Sequence, residues 1–187
     1  RLQFPDGRKP RIYSMVESHN GDILLGTAGY GLYSVKDRNT KKATDNLFTI
    51  RQERQYAERD SDVFFTHIYE DKHHYLWQSS HLSIFTRFIK KQGKVQRKDF
   101  KSPCGAPVAF IQHRPQAMLI VCMYGIVYYD YRTGRIADAG YDFGGYQNNV
   151  TINNATFDHE GNFYISTSEH GVLMIRKGSN RVEQLEN

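Results

Sequence analysis

Apolar residues in this chain come in short runs rich in aromatic and β-branched types, separated by polar clusters that hold Gly, Asn, Asp or Pro. The roughly 3.6-residue rhythm of an amphipathic helix is missing, so the pattern predicts strands and turns. Four groups of four strands follow from it: 12–16, 23–25, 32–35 and 47–50; 64–69, 75–78, 83–88 and 95–100; 108–112, 118–122, 126–131 and 135–137; 152–157, 163–166, 172–176 and 181–185. A polar hairpin loop is expected at 36–46, and the charged stretch 51–62 is the one place where a helical turn is plausible. The segment 140–149, with its glycines, tyrosines and asparagines, reads as a linker.

The groups share a grammar. In the last, Asp158 and Gly161 bracket a reversal, Phe163-Tyr164-Ile165 form a run, Ser166-Thr167 end it, and Gly171 marks a corner before Val172-Leu173-Met174-Ile175. The first repeats this with Ser18, Gly21, Ile23-Leu24-Leu25, Gly26-Thr27 and Gly31. The second is a weaker copy, with Asp71, His74 and Leu76-Trp77; the third, from His113, is the weakest. Taking Ser18, Asp71, His113 and Asp158 as equivalent gives separations of roughly 40 to 55 residues, the period of propeller blades rather than of helical arrays. Four strands per unit in up-and-down order is likewise the make-up of a blade. The expected fold is therefore all-β: a β-propeller of about four four-stranded antiparallel blades, a partial segment of a larger ring. Its divisions would be 1–10 as the end of a preceding blade, then blades at 11–51, 64–100, 107–140 and 151–187.

Composition narrows this only a little. A chain of 187 residues with 39% hydrophobic content can bury a core, which excludes a disordered tail. The net charge of +5 is spread along the chain, which fits a solvated surface better than a polyanion-binding patch. No signal peptide is legible, and the longest apolar stretch, 117–129, is broken by Gly125 and falls short of the roughly 20 residues that a membrane helix needs. Cys104 and Cys122 lack metal-type spacing; they read as unpaired packing residues, with a disulfide as the alternative.

With the turn and run residues in view, the chain resembles the two-component regulator propeller repeat. Asp158, Gly161, Tyr164, Ser166, Thr167, Gly171 and Leu173 fit that pattern, the last one position late; Gly21, Gly26, Thr27, Gly31, Leu32 and Tyr33 fit it in the first group, where Ser18 replaces the Asp. The second group keeps Asp71 and Trp77 but has His74 in place of the Gly. The resemblance implies the periplasmic sensor of a hybrid two-component regulator, the extracytoplasmic part of an inner-membrane histidine kinase that binds oligosaccharide and controls transcription of polysaccharide-utilisation genes. It implies a homodimeric parent, packing against neighbouring blades of the parent chain, and no direct nucleic-acid binding or phosphotransfer by this segment.

In an up-and-down blade, the corner between the second and third strands opens on the same face as the linker to the next blade. Those corners carry Tyr30, His81, Tyr124, Glu169 and His170, and the linkers carry Arg59, Asp60, Tyr141, Tyr146, Asn148 and Asn149. Aromatic faces beside amides and charges suit sugars, so Tyr30, His81, Tyr124, Glu169, His170, Tyr146 and Asn148 are the candidate ligand-binding residues. The competing reading is that they are ordinary exposed corner residues. Asp71 and Asp158 are read as turn caps rather than acid–base catalysts. His67, His73 and His74 match no strong zinc spacing, and no metal, cofactor or catalytic residue is expected. Trp77 and Tyr164 occupy equivalent strand positions and are expected in the core between blades. A protein-binding scaffold, or a propeller polysaccharide lyase or hydrolase, is the alternative function.

Overall fold

The computed structural model describes residues 4–5, 7–37, 48–56, 64–80 and 82–185. The fold is all-β and consists of four antiparallel four-stranded blades, divided between two compact units, residues 1–100 and 101–187.

In the first unit, β1 (Ile12–Glu17), β2 (Ile23–Thr27), β3 (Leu32–Asp37) and β4 (Phe48–Gln52) pair in chain order, as do β5 (His67–Glu70), β6 (Leu76–Ser79), β7 (Ile84–Lys91) and β8 (Lys94–Lys101). In the second, β9 (Pro107–Arg114), β10 (Ala117–Cys122), β11 (Gly125–Asp130) and β12 (Ile136–Asp138) form one sheet. The other holds β13 (Ile152–Phe157), β14 (Phe163–Thr167), β15 (Val172–Ile175) and β16 (Glu183–Gln184). Among the described residues, two short 3-10 turns, Arg54–Tyr56 and Gly144–Tyr146, sit in the connections. The second of these lies within the stretch expected to be a plain linker. Most of the expected loop at 36–46, and part of the charged stretch at 51–62, lie outside the described residues.

The repeated grammar has a repeated geometry. At the first turn of three blades the same two backbone bonds close the hairpin: Ser18 N to Asp22 O with Gly21 N to Ser18 O, Asp71 N to Tyr75 O with His74 N to Asp71 O, and Asp158 N to Asn162 O with Gly161 N to Asp158 O. The third residue after the turn-opener must take a positive φ, which glycine does at no steric cost; Gly21 has φ 80° and Gly161 91°, and His74 adopts 60°. At the corner between second and third strands, Thr27 Oγ1 donates to Gly31 O at 2.6 Å and Thr167 Oγ1 to Gly171 O at 3.0 Å.

Blades within each unit bury their flanks against each other. In the first unit Leu32 meets Phe65, Ile68, Leu76 and Phe88, all nearly or fully buried. Strands 5 and 16 are shorter than the sequence predicts because their flanks pair elsewhere. Phe64 bridges to Ala28 and Phe65 N donates to Thr27 O at 2.8 Å, joining one blade's corner to the next blade's entry. Gly26 is required there: a Cβ on it would stand 2.5 Å from Phe65 O. In the second unit Arg181 bridges to Asp142, and Val182 N donates to Asp142 O at 2.9 Å, so the end of the last blade is tied to the preceding linker. There Leu119, Val121 and Ile126 of one sheet pack with Ile152, Phe163, Ile165 and Leu173 of the other.

Trp77 and Tyr164 hold equivalent second-strand positions, as expected, and differ in burial. Trp77 Nε1 donates to Asp71 Oδ2 at 2.7 Å, so that ring reaches back to its own turn, while partial desolvation and then the Asp158 carboxylate push the Tyr164 phenol up. Trp77 is fully buried, but against Phe85 and Phe100 of its own sheet, with ring centroids 6.2 and 6.0 Å away. Tyr164 is only half-buried. Trp77 thus combines the burial expected of a core position with a bond to its own turn.

Candidate functional site

Of the residues expected to contact a ligand, those of the second unit gather around the Gly144–Tyr146 turn and the β14–β15 corner. Asp142 Oδ1 accepts from Gly144 N at 2.9 Å and starts the turn; Tyr146 N then donates to Phe143 O. The Tyr146 ring meets the His170 ring edge-on at 5.0 Å, and His170 Nε2 lies 2.6 Å from Asn149 O. A carbonyl can only accept, so His170 carries a proton on Nε2. Glu169 holds the start of β13, accepting from Thr151 N at 2.7 Å and from Thr151 Oγ1 at 2.8 Å. Those two bonds hold its carboxyl below the ordinary glutamate range, so it stays ionised. Asn148 lies exposed on the same turn.

Tyr124, at the β10–β11 corner, is 61% exposed. It borders a shallow pocket of about 90 Å³ with Tyr141, Gln147, Asp138 and Val150. Gln147 follows Tyr146 directly, so the aromatic edge at His170 and the pocket at Tyr124 share one linker. Burial pushes the Tyr141 phenol up, which keeps it a neutral hydrogen-bond donor. The arrangement offers aromatic surface flanked by amide and carboxylate groups.

Tyr30 sits in the first unit, at the position of its corner that matches His170. Arg8 stands over its ring at 5.3 Å, and Gln52 Nε2 donates to its carbonyl at 3.0 Å. His81 lies outside the described residues, as do Arg59 and Asp60.

Cys104 and Cys122 are free thiols on either side of Ser102, whose Oγ lies 3.8 Å from Cys104 Sγ and 3.1 Å from Cys122 Sγ. The proximity of Cys122 lowers the Cys104 pKa, and the proximity of Cys104, together with burial, raises that of Cys122.

A second constellation in the first unit escaped the sequence reading. Glu70, the last residue of β5, receives both His19 Nδ1 and His19 N on Oε1, and His74 Nδ1 lies 3.5 Å from the same oxygen. The two imidazoles lie against each other, centroids 4.1 Å apart. His67 and His73 take no part: His67 Nδ1 meets Ser79 Oγ at 3.2 Å, and the His73 ring lies near Tyr75. His19 and Glu70 also line a pocket of about 150 Å³ shared with Asp22, Lys36, Glu53 and Tyr56. Burial, then the Glu53 and Glu70 carboxylates, push the Tyr56 phenol up to about 12. The available signal was positional: a histidine where the sister hairpins carry glycine, with a glutamate four residues before it.

No family model and no curated protein matches the sequence. Solved structures do match in fold. One is the extracellular domain of BT3049 from B. thetaiotaomicron, a protein described as a hybrid two-component system (TM-score 0.64, 14% identity, 96% of this chain and 25% of that one). Another is the catalytically inactive H270A virginiamycin B lyase from Staphylococcus aureus with quinupristin (TM-score 0.66, 16% identity, 98% and 57%). A third is YCF48 from Cyanidioschyzon merolae (TM-score 0.68, 15% identity, 97% and 58%). The chain thus spans less than two thirds of each of these proteins. At such identities the likeness shows a β-propeller fold. Among the described residues no helix is long and apolar enough to cross a membrane.

Proposed function

We propose that this chain is a ligand-binding segment of an extracytoplasmic sensory propeller, belonging to a periplasmic sensor of a hybrid two-component regulator, and that its ligand is an oligosaccharide. The observation that carries the reading is the cluster on one linker of the second unit: Tyr124 exposed at one side, Tyr146 and His170 edge to face at the other, with Gln147 and Asn148 between. Sugar C–H faces stack on aromatic rings while their hydroxyls seek amides and carboxylates, and this linker supplies both. The extracellular domain from B. thetaiotaomicron shares the fold, which is compatible with the sensor class. Binding would act on a homodimeric parent by favouring one receptor arrangement over another, which requires a difference in affinity between the two.

Calorimetric titration against a panel of plant and host oligosaccharides tests this. One class should bind, and Tyr124→Ala or Tyr146→Ala should weaken it about tenfold, equivalent to ~1.4 kcal/mol. Silence across the panel would overturn the reading. Cleaved oligosaccharide in the titration cell would move the protein to the lyase or hydrolase alternative.

A further inference from the structure

We infer that His19, Glu70 and His74 form a binding site for a divalent first-row transition metal, zinc in the first place, that clasps two neighbouring blades of the first unit. The inference rests on these residues alone and is independent of the oligosaccharide reading.

The three side chains come from two hairpins far apart in sequence, His19 from the β1–β2 turn and Glu70 and His74 from β5 and the turn after it. Each offers one ligating atom, and the three atoms lie within 4.8 Å of one another. Donors held 2.0–2.2 Å from a tetrahedral zinc stand roughly 3.3–3.6 Å apart. The His74 to Glu70 separation of 3.5 Å already falls there. Two imidazoles and a carboxylate suit zinc, nickel, cobalt or copper and are a poor set for magnesium or calcium, which prefer all-oxygen shells. Three protein ligands leave a position for water, and the adjoining pocket gives that position access to solvent.

The chemistry of the individual residues agrees. Glu70 has a side chain only 9% exposed, so its carboxylate is already held in place, whereas both histidines are more than half exposed. His74 gains little from burial, yet it occupies a left-handed backbone position that its sister hairpins give to Gly21 and Gly161. A hydrogen-bonded carboxylate bridging two imidazoles is the competing account, and it makes a different prediction. Glu70→Gln keeps an oxygen that both rings can bond but removes the anionic ligand.

The test is titration of the metal-stripped, tag-free chain with Co²⁺, read by its visible d–d band, and with Zn²⁺ by competition. The wild type should bind one equivalent with a tetrahedral spectrum, and saturating Zn²⁺ should raise the melting temperature by about 5 °C or more. His74→Gly, which suits the backbone at that position, and Glu70→Gln should each weaken binding by at least about tenfold, as loss of a ligand requires. His73→Ala should bind as the wild type does. Absence of saturable binding up to about 1 mM metal would overturn the inference. So would equal affinity in wild type, His74→Gly and Glu70→Gln.

Discussion

The turn after β5 and the turn after β13 are the same hairpin twice, and they differ in what they spend it on. Both open on an aspartate whose carboxylate caps the turn: Asp71 Oδ1 accepts from His73 N and Tyr75 N at 2.8 and 3.0 Å, and Asp158 Oδ1 accepts from Glu160 N and Asn162 N at 3.0 and 2.8 Å. Asp71 also accepts from the aromatic six residues on, Trp77 Nε1, at 2.7 Å. In the second blade the assembly is buried, with Asp71 at 3% and Trp77 at 0% exposure, and the turn residue is a histidine directed at Glu70. In the fourth Asp158 and Tyr164 are both half-buried and the turn residue is Gly161, with the aliphatic part of Lys177 nearby. One backbone design thus serves a buried structural anchor with a reactive side chain above it, and a plain surface reversal.

The largest effect should come from breaking the cap itself in the two places. Asp71→Ala strands the buried Trp77 N–H and two backbone N–H groups, and urea denaturation should show a loss on the order of 3–5 kcal/mol. Asp158→Ala leaves groups that water can reach, so its loss should be clearly smaller. Equal losses would mean that burial does not distinguish the two turns.

Exchanging the third turn residue sharpens the comparison. Gly161→His puts a β-carbon into a left-handed position with no compensating partner and should cost about 1–2 kcal/mol in the same assay. The reverse change, His74→Gly, trades that strain against the entropy of glycine and should fall within about 1 kcal/mol of neutral without metal. A marked loss of metal-free stability in His74→Gly would show that the histidine is held by packing rather than reserved for a ligand.

The comparison also shows how far the sequence could be read. Strand order and pairing were legible because apolar runs of alternating burial, such as Phe163-Tyr164-Ile165, and glycines at fixed turn offsets report local geometry that every blade repeats. The ends of strands 5 and 16 were not, because Phe64 and Arg181 exchange pairing within their sheets for bridges to Ala28 and Asp142, and that choice depends on neighbours distant in sequence. For Trp77 the burial was legible and the hydrogen bond to Asp71 was not. For the candidate sites, the corner rule placed Tyr146 and His170 near each other, whereas the convergence of His19 on Glu70 spans 51 residues and carries no local signature.

The smallest effect expected is a pH dependence that separates the second blade from the fourth. His67, in β5, is shifted below the ordinary histidine value by burial, so the folded chain holds it neutral while the unfolded chain takes up a proton near pH 6.5. Its contribution is therefore fully present above that pH and is lost as pH falls toward the lowered folded value. Asp158 is shifted down from the ordinary aspartate value of 3.8, chiefly by the Asn162 side-chain hydrogen bond, so its contribution is present above pH 3.8 and disappears only below it. Stability measured from pH 7 downward should first decline below pH 6.5 through His67, and His67→Gln should flatten that limb while leaving the steeper acid limb in place. A His67→Gln profile that still declines between pH 6.5 and 5 would show that His67 does not carry that limb.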